Sequence, residues 1–180
     1  MTVDRRQFNR SLFGPLALAA VAPSLLGGCE PGERTAPLAR APDIGYTLLD
    51  GRPGQLAALR DKVVLVNFWA TSCAVCVQEM PHLVDTWRKF SPRGVEMLAV
   101  AMRHDPPALV ARYAERHALP FGVVIDNTGA IARAFGDVQA TPTTFVIDKS
   151  GGIAKRLEGA PDFAALHRLV DELLAQKRAA

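Results

Sequence analysis

The feature that most limits this chain is a buried strand that leads straight into a pair of cysteines. Lys62-Val63-Val64-Leu65-Val66-Asn67-Phe68-Trp69 is a run of β-formers, too short and too apolar to be anything but an interior strand. Four residues on comes Cys73-Ala74-Val75-Cys76. Val77, Met80, Leu83, Val84, Trp87 and Phe90 then recur at helical spacing, an amphipathic helix that Pro81 is expected to kink. The cysteines therefore sit at a strand-to-helix junction.

The rest of the chain must cover both sides of that strand. Glu96 to Met102 reads as a second strand, Pro107 to Ala118 as a helix and Phe121 to Ile125 as a third strand. Thr143 to Asp148 and Ile153 to Leu157 read as a hairpin about Lys149-Ser150-Gly151-Gly152, and Phe163, Leu166, Leu169, Val170, Leu173 and Leu174 as a closing helix. Residues 42–60, with Asp50-Gly51, read as a short N-terminal hairpin and one helical turn. Strands alternating with helices, then a hairpin, predict an α/β fold: a central mixed sheet covered on both faces, in one domain over residues 42–180.

The first 28 residues read as an export signal. Met1 to Arg10 is polar and basic, and residues 11–28 are apolar and uncharged. A membrane span is the alternative, but Pro15, Pro23 and three glycines weaken such a helix. Arg5-Arg6-Gln7-Phe8 resembles a twin-arginine signal. Leu26-Gly27-Gly28-Cys29 resembles a bacterial lipobox, in which the chain is cut before the cysteine and the thiol takes a lipid. Residues 29–41, polar and proline-bearing after Cys29, then read as a tether. Charge agrees with this division. From Cys29 onward 18 basic residues face 17 acidic ones, so the net +3 belongs mostly to the signal, and no basic stripe suggests a nucleic-acid partner.

A helix N-terminus offers unpaired N–H groups and partial positive charge, both of which favour a thiolate. Cys73, at the start of the helix, is thus the expected nucleophile, and Cys76, one turn in, the resolving thiol. Two unpaired core cysteines three apart are the plain alternative; the junction argues against it.

Two separated motifs, Val63 to Cys76 with Glu79-Met80-Pro81, and Thr141-Pro142-Thr143-Thr144-Phe145-Val146-Ile147-Asp148, resemble the TlpA/ResA-like thioredoxins. These are exported, membrane-tethered thiol–disulfide oxidoreductases. The resemblance runs from about Ala41 to the C-terminus. It implies a thioredoxin-like three-layer α/β/α fold with an N-terminal β-hairpin extension. It also implies a Cys73–Cys76 redox disulfide, a cis-proline at Pro142, and Thr141 offering its backbone to an extended substrate. Trp69 is expected beside the substrate. Glu79 is expected as a carboxylate that trades a proton with Cys76, and Asn67 stands where ordinary thioredoxins bury an aspartate.

Two departures stand out. Ser72 replaces the tryptophan usual before the first cysteine, and Ala74-Val75 adds nothing that stabilises a thiolate. A strongly oxidising potential is therefore not expected, and reduction is the predicted direction. The resemblance implies disulfide-bonded protein substrates, apocytochromes c among them. It also implies a membrane electron donor of the DsbD or CcdA type, a periplasmic site with a lipid anchor at Cys29, and no cofactor. A disulfide oxidase or isomerase is the other enzymatic reading. A Cu(I)-binding metallochaperone is the non-enzymatic one; beyond two thiols no metal ligand is evident, and His82, His104, His117 and His167 are scattered. A peroxiredoxin pattern, with its proline and threonine ahead of the cysteine, is not met.

Overall fold

The computed structural model describes residues 39–176. The signal, Cys29 and most of the expected tether lie outside them. In chain order the elements are β1 (Ala39–Arg40), β2 (Gly45–Thr47), β3 (Pro53–Gln55), a 3-10 turn (Leu56–Leu59), β4 (Val63–Trp69), α1 (Ala74–Phe90), β5 (Val95–Ala101), α2 (Pro107–Arg116), β6 (Gly122–Ile125), α3 (Ala130–Ala134), β7 (Thr143–Ile147), β8 (Gly152–Glu158) and α4 (Phe163–Ala175).

Six strands form one sheet in the order β1-β8-β7-β4-β5-β6. β4, β5 and β6 run parallel, while β7 and β8 are antiparallel to their neighbours. β4 is central, which explains its lack of polar alternation: all seven residues are buried. Its period of two instead sorts side chains between two apolar layers. Val63, Leu65 and Trp69 face a core with Met80, Leu83, Val110, Leu166 and Val170 from α1, α2 and α4. Val64, Val66 and Phe68 face a second core with Ile131, Phe135 and Phe145. There the Phe68 ring meets Phe135 and Phe145 edge-on at 5.5 and 5.9 Å. The expected mixed sheet with both faces covered is what forms.

The expected N-terminal hairpin is present as β2 and β3, paired antiparallel. It is joined to the sheet at β6 through a bridge between Leu48 and Val124. Three features differ from expectation. Ala39–Arg40, inside the stretch read as tether, pairs with Ile153 and Gly152 as an edge strand. Helix α1 runs unbroken through Pro81. And α3 has no counterpart in the sequence reading. It is five residues long, too short for a periodic apolar stripe, and is held by the buried Asp126 carboxylate accepting from the Ile131 and Ala132 N–H groups.

Among the described residues no helix is long and apolar enough to cross a membrane.

Candidate active site

The site lies where β4 ends. Ala70 is still buried, Ser72 is exposed, and Cys73 caps α1. The Cys73 N–H donates to the Ala70 carbonyl at 3.1 Å, and the Cys76 N–H points at Cys73 Sγ at 3.2 Å. Cys73 and Cys76 are joined as a disulfide with their Cα atoms 5.2 Å apart. Cys73 is partly exposed and Cys76 fully buried. Solvent reaches only the first sulfur. Ala74 and Val75, between them, are exposed and bring no charge.

The second motif closes over the sulfurs. The Thr141–Pro142 bond is cis. The turn brings the Thr141 carbonyl oxygen to 3.6 Å from Cys73 Sγ. Thr141 is partly exposed and its N–H and carbonyl take no part in the sheet, whereas the Pro142 carbonyl accepts from the Gly159 N–H. An extended chain laid beside Thr141 therefore finds backbone groups to pair with.

Beneath the disulfide is a buried polar group. Glu79, one turn past Cys76, is 3% exposed. Asn67, fully buried on β4, donates from Nδ2 to Glu79 Oε1 at 3.0 Å and to Thr144 Oγ1 on β7 at 2.9 Å. Glu79 Oε2 and Asn67 Oδ1 accept nothing among the described residues. Burial pushes the Glu79 carboxyl up to about 7 from an ordinary 4.5, and the Asn67 hydrogen bond pulls the other way. Spacing alone would have made Glu79 a solvated helix residue; the structure puts it inside. Thr144, at the end of this network, was not singled out by the sequence beyond its place in the second motif.

Two further placements matter. Trp69, expected at the substrate face, is fully buried, with its ring 5.1 Å from that of Tyr113. That corrects the expectation. The odd positions of β4 point into the α1 layer, so Trp69 packs under the site and offers no surface to a substrate. Asp105, between β5 and α2, is 2% exposed and grips the segment before the cysteines. Its carboxylate accepts from the Thr71 N–H at 2.6 Å and from the Thr71 hydroxyl at 2.5 Å. Its place just ahead of the two prolines that start α2 was the only sequence signal. Among the described residues, no group of three or more histidine, cysteine or acidic side chains is placed to hold a metal.

Residues 37–156 match the AhpC/TSA family. A curated protein named thiol-disulfide oxidoreductase ResA, from Geobacillus thermodenitrificans, is 40% identical over 96 residues, 53% of this chain and 55% of that protein. The chain spans about half the length of the curated relatives it matches. Among solved structures, a protein assigned as a thioredoxin from Neisseria meningitidis is 36% identical with a TM-score of 0.73, covering 79% of this chain and 95% of that one. A thiol:disulfide interchange protein of the thioredoxin family from Chlorobium tepidum TLS is 30% identical with a TM-score of 0.70, covering 78% of this chain and 98% of that one.

Proposed function

Because this chain belongs to the AhpC/TSA family and shares the thioredoxin-like fold of its relatives, we propose that it is a thiol–disulfide oxidoreductase that reduces disulfides of exported polypeptides. The observation that carries the reading is the Cys73–Cys76 disulfide, with one sulfur partly exposed at a helix N-terminus against the cis-proline turn.

The reduced protein attacks with the Cys73 thiolate, favoured by the helix N-terminus and the Cys76 N–H. A bond forms between Cys73 Sγ and one substrate sulfur, and the other substrate sulfur leaves as a thiolate that takes up a proton. Cys76, deprotonated, then attacks Cys73 Sγ. The substrate sulfur bound to Cys73 leaves as a thiolate that takes up a proton, and the intramolecular disulfide remains. Two electrons have passed to the substrate. Glu79 is the base assigned to the Cys76 proton: it is buried one turn away, has an unpartnered oxygen, and titrates near neutrality. Thr141 holds the substrate backbone while the sulfurs exchange.

The cycle needs a donor to return two electrons to the oxidised protein. A membrane dithiol carrier of the DsbD or CcdA type fits that role. The twin-arginine-like start and the lipobox support a periplasmic site with Cys29 as the lipid anchor. Apocytochrome c cysteines, which must stay reduced for haem attachment, are the substrates this location favours.

Insulin disulfide reduction with a chemical donor tests the activity. Wild-type protein should accelerate it and Cys73→Ser should not; equal rates would overturn the reading. Cys29→Ala should release the protein from membranes or block its processing, and unchanged membrane retention would contradict the anchor.

A further inference from the structure

Helix α2 carries two lengthwise stripes. Val110 and Ala114 are buried in the core layer that α1 shares. Leu109, Arg112, Tyr113, Arg116 and His117 form the other stripe, and with Thr71 they line an open groove of about 250 Å³. Thr71, which lines the groove, stands two residues before Cys73 and ties the groove to the segment that carries the dithiol. Its position there is fixed, because Asp105, next to the start of α2, binds Thr71 through both carboxylate oxygens.

Three observations bear on the exposed stripe. Among the described residues the exposed large apolar side chains are Leu49, Val75 and Leu109. Val75 lies between the two cysteines, and Leu109 lines the groove. Tyr113 is a platform, stacked on His117 at 4.2 Å and backed by buried Trp69. Arg112 and Arg116 are exposed, and neither has an ion pair or hydrogen bond among the described residues. Like charges four apart on a helix repel each other. Glu115, the one carboxylate of α2, lines a groove on another side of the helix and does not neutralise them.

We propose that this groove receives the polypeptide flanking the substrate cysteine and selects segments that carry acidic residues beside an apolar one. The inference rests on the exchange reaction proposed above. Arg112 and Arg116 lie about 6 Å apart along the helix axis. Alternate residues of an extended chain are about 6.8 Å apart, so two acidic side chains at such positions meet both guanidiniums. An apolar side chain of the same segment covers Leu109.

The test uses the reduced full chain and three synthetic peptide disulfides whose cysteine is flanked by Glu, Gln or Lys at alternate positions. Bis(2-hydroxyethyl) disulfide, small and uncharged, is the reference. Wild-type protein should reduce the Glu peptide about tenfold faster than the Lys peptide, with the gap narrowing as salt rises. Arg112→Glu/Arg116→Glu should reverse the order and leave the reference rate unchanged, and Arg112→Gln/Arg116→Gln should level it. Equal rates for the three peptides with the wild-type protein, or a Glu preference that survives both double variants, would overturn the groove. Failure to reduce even the small reference would overturn the exchange reaction instead, and the groove's role with it.

Discussion

Glu79 and Asp105 are two carboxylates buried to nearly the same degree, one on the helix that Cys73 caps and one bound to the segment before it, and their hydrogen bonding differs. Asp105 has both oxygens engaged by Thr71, one by an N–H and one by a hydroxyl. Glu79 has one oxygen bound to Asn67 and the other bound to nothing among the described residues. A buried carboxylate whose acceptor sites are filled is a clamp. One left half-filled in an apolar layer is pushed up towards neutrality, where it can both take up and release a proton. Burial alone therefore does not assign a role; the hydrogen bonds around the carboxylate do.

The sharpest way to break this comparison removes what both residues serve. Cys73→Ser should abolish disulfide reduction while Cys76→Ser leaves a trapped mixed disulfide with substrate, read by gel shift under non-reducing conditions. Trapping in the first variant and none in the second would invert the assignment of the sulfurs. Next in size is the clamp. Asp105→Ala leaves the Thr71 N–H and hydroxyl without their acceptor, and two hydrogen bonds to a charged group imply a loss of about 3–5 kcal/mol in denaturant unfolding. A loss below about 1 kcal/mol would show that the clamp does not hold.

Glu79→Gln should act in the opposite direction. Below pH ~4.5 the Glu79 carboxyl is protonated folded and unfolded and costs nothing. As pH rises towards 7 the unfolded chain gives up the proton and the folded chain keeps it, so stability falls; above about 7 the loss is complete. Glu79→Gln should therefore raise stability by on the order of 2–3 kcal/mol at pH 8 and change little at pH 4. A variant less stable than wild type at pH 8 would contradict the account. The smallest effect is kinetic: the same substitution should flatten the pH dependence of intramolecular disulfide formation around pH 7 by less than about tenfold, seen by stopped-flow fluorescence.

These contrasts mark where the sequence could be read. Strand β4, helix α1 and the cysteine pair were legible because each declares itself within a dozen residues, by apolar run, helical period and spacing. The hairpin and turns were legible from Asp-Gly and Gly-Gly. What was not legible depends on contacts across the sheet. Nothing local distinguishes Asp105 from a solvated loop aspartate; its role comes from Thr71, a neighbour only after folding. Trp69 was expected beside the substrate only through the resemblance, and strand alternation points it inward under Tyr113. Helix α3 escaped because five residues cannot show a period. Glu79 was placed through family resemblance, since its spacing from Cys76 fits a surface residue equally well.

The central claim is that Cys73 and Cys76 form a dithiol couple poised to donate electrons. Equilibrating the protein in graded glutathione or dithiothreitol buffers, with alkylation to count free thiols, measures it directly. The account predicts one two-electron transition at about −270 mV or lower. A transition near −120 mV would identify an oxidant, and thiols that never respond to the buffer would remove the exchange chemistry altogether.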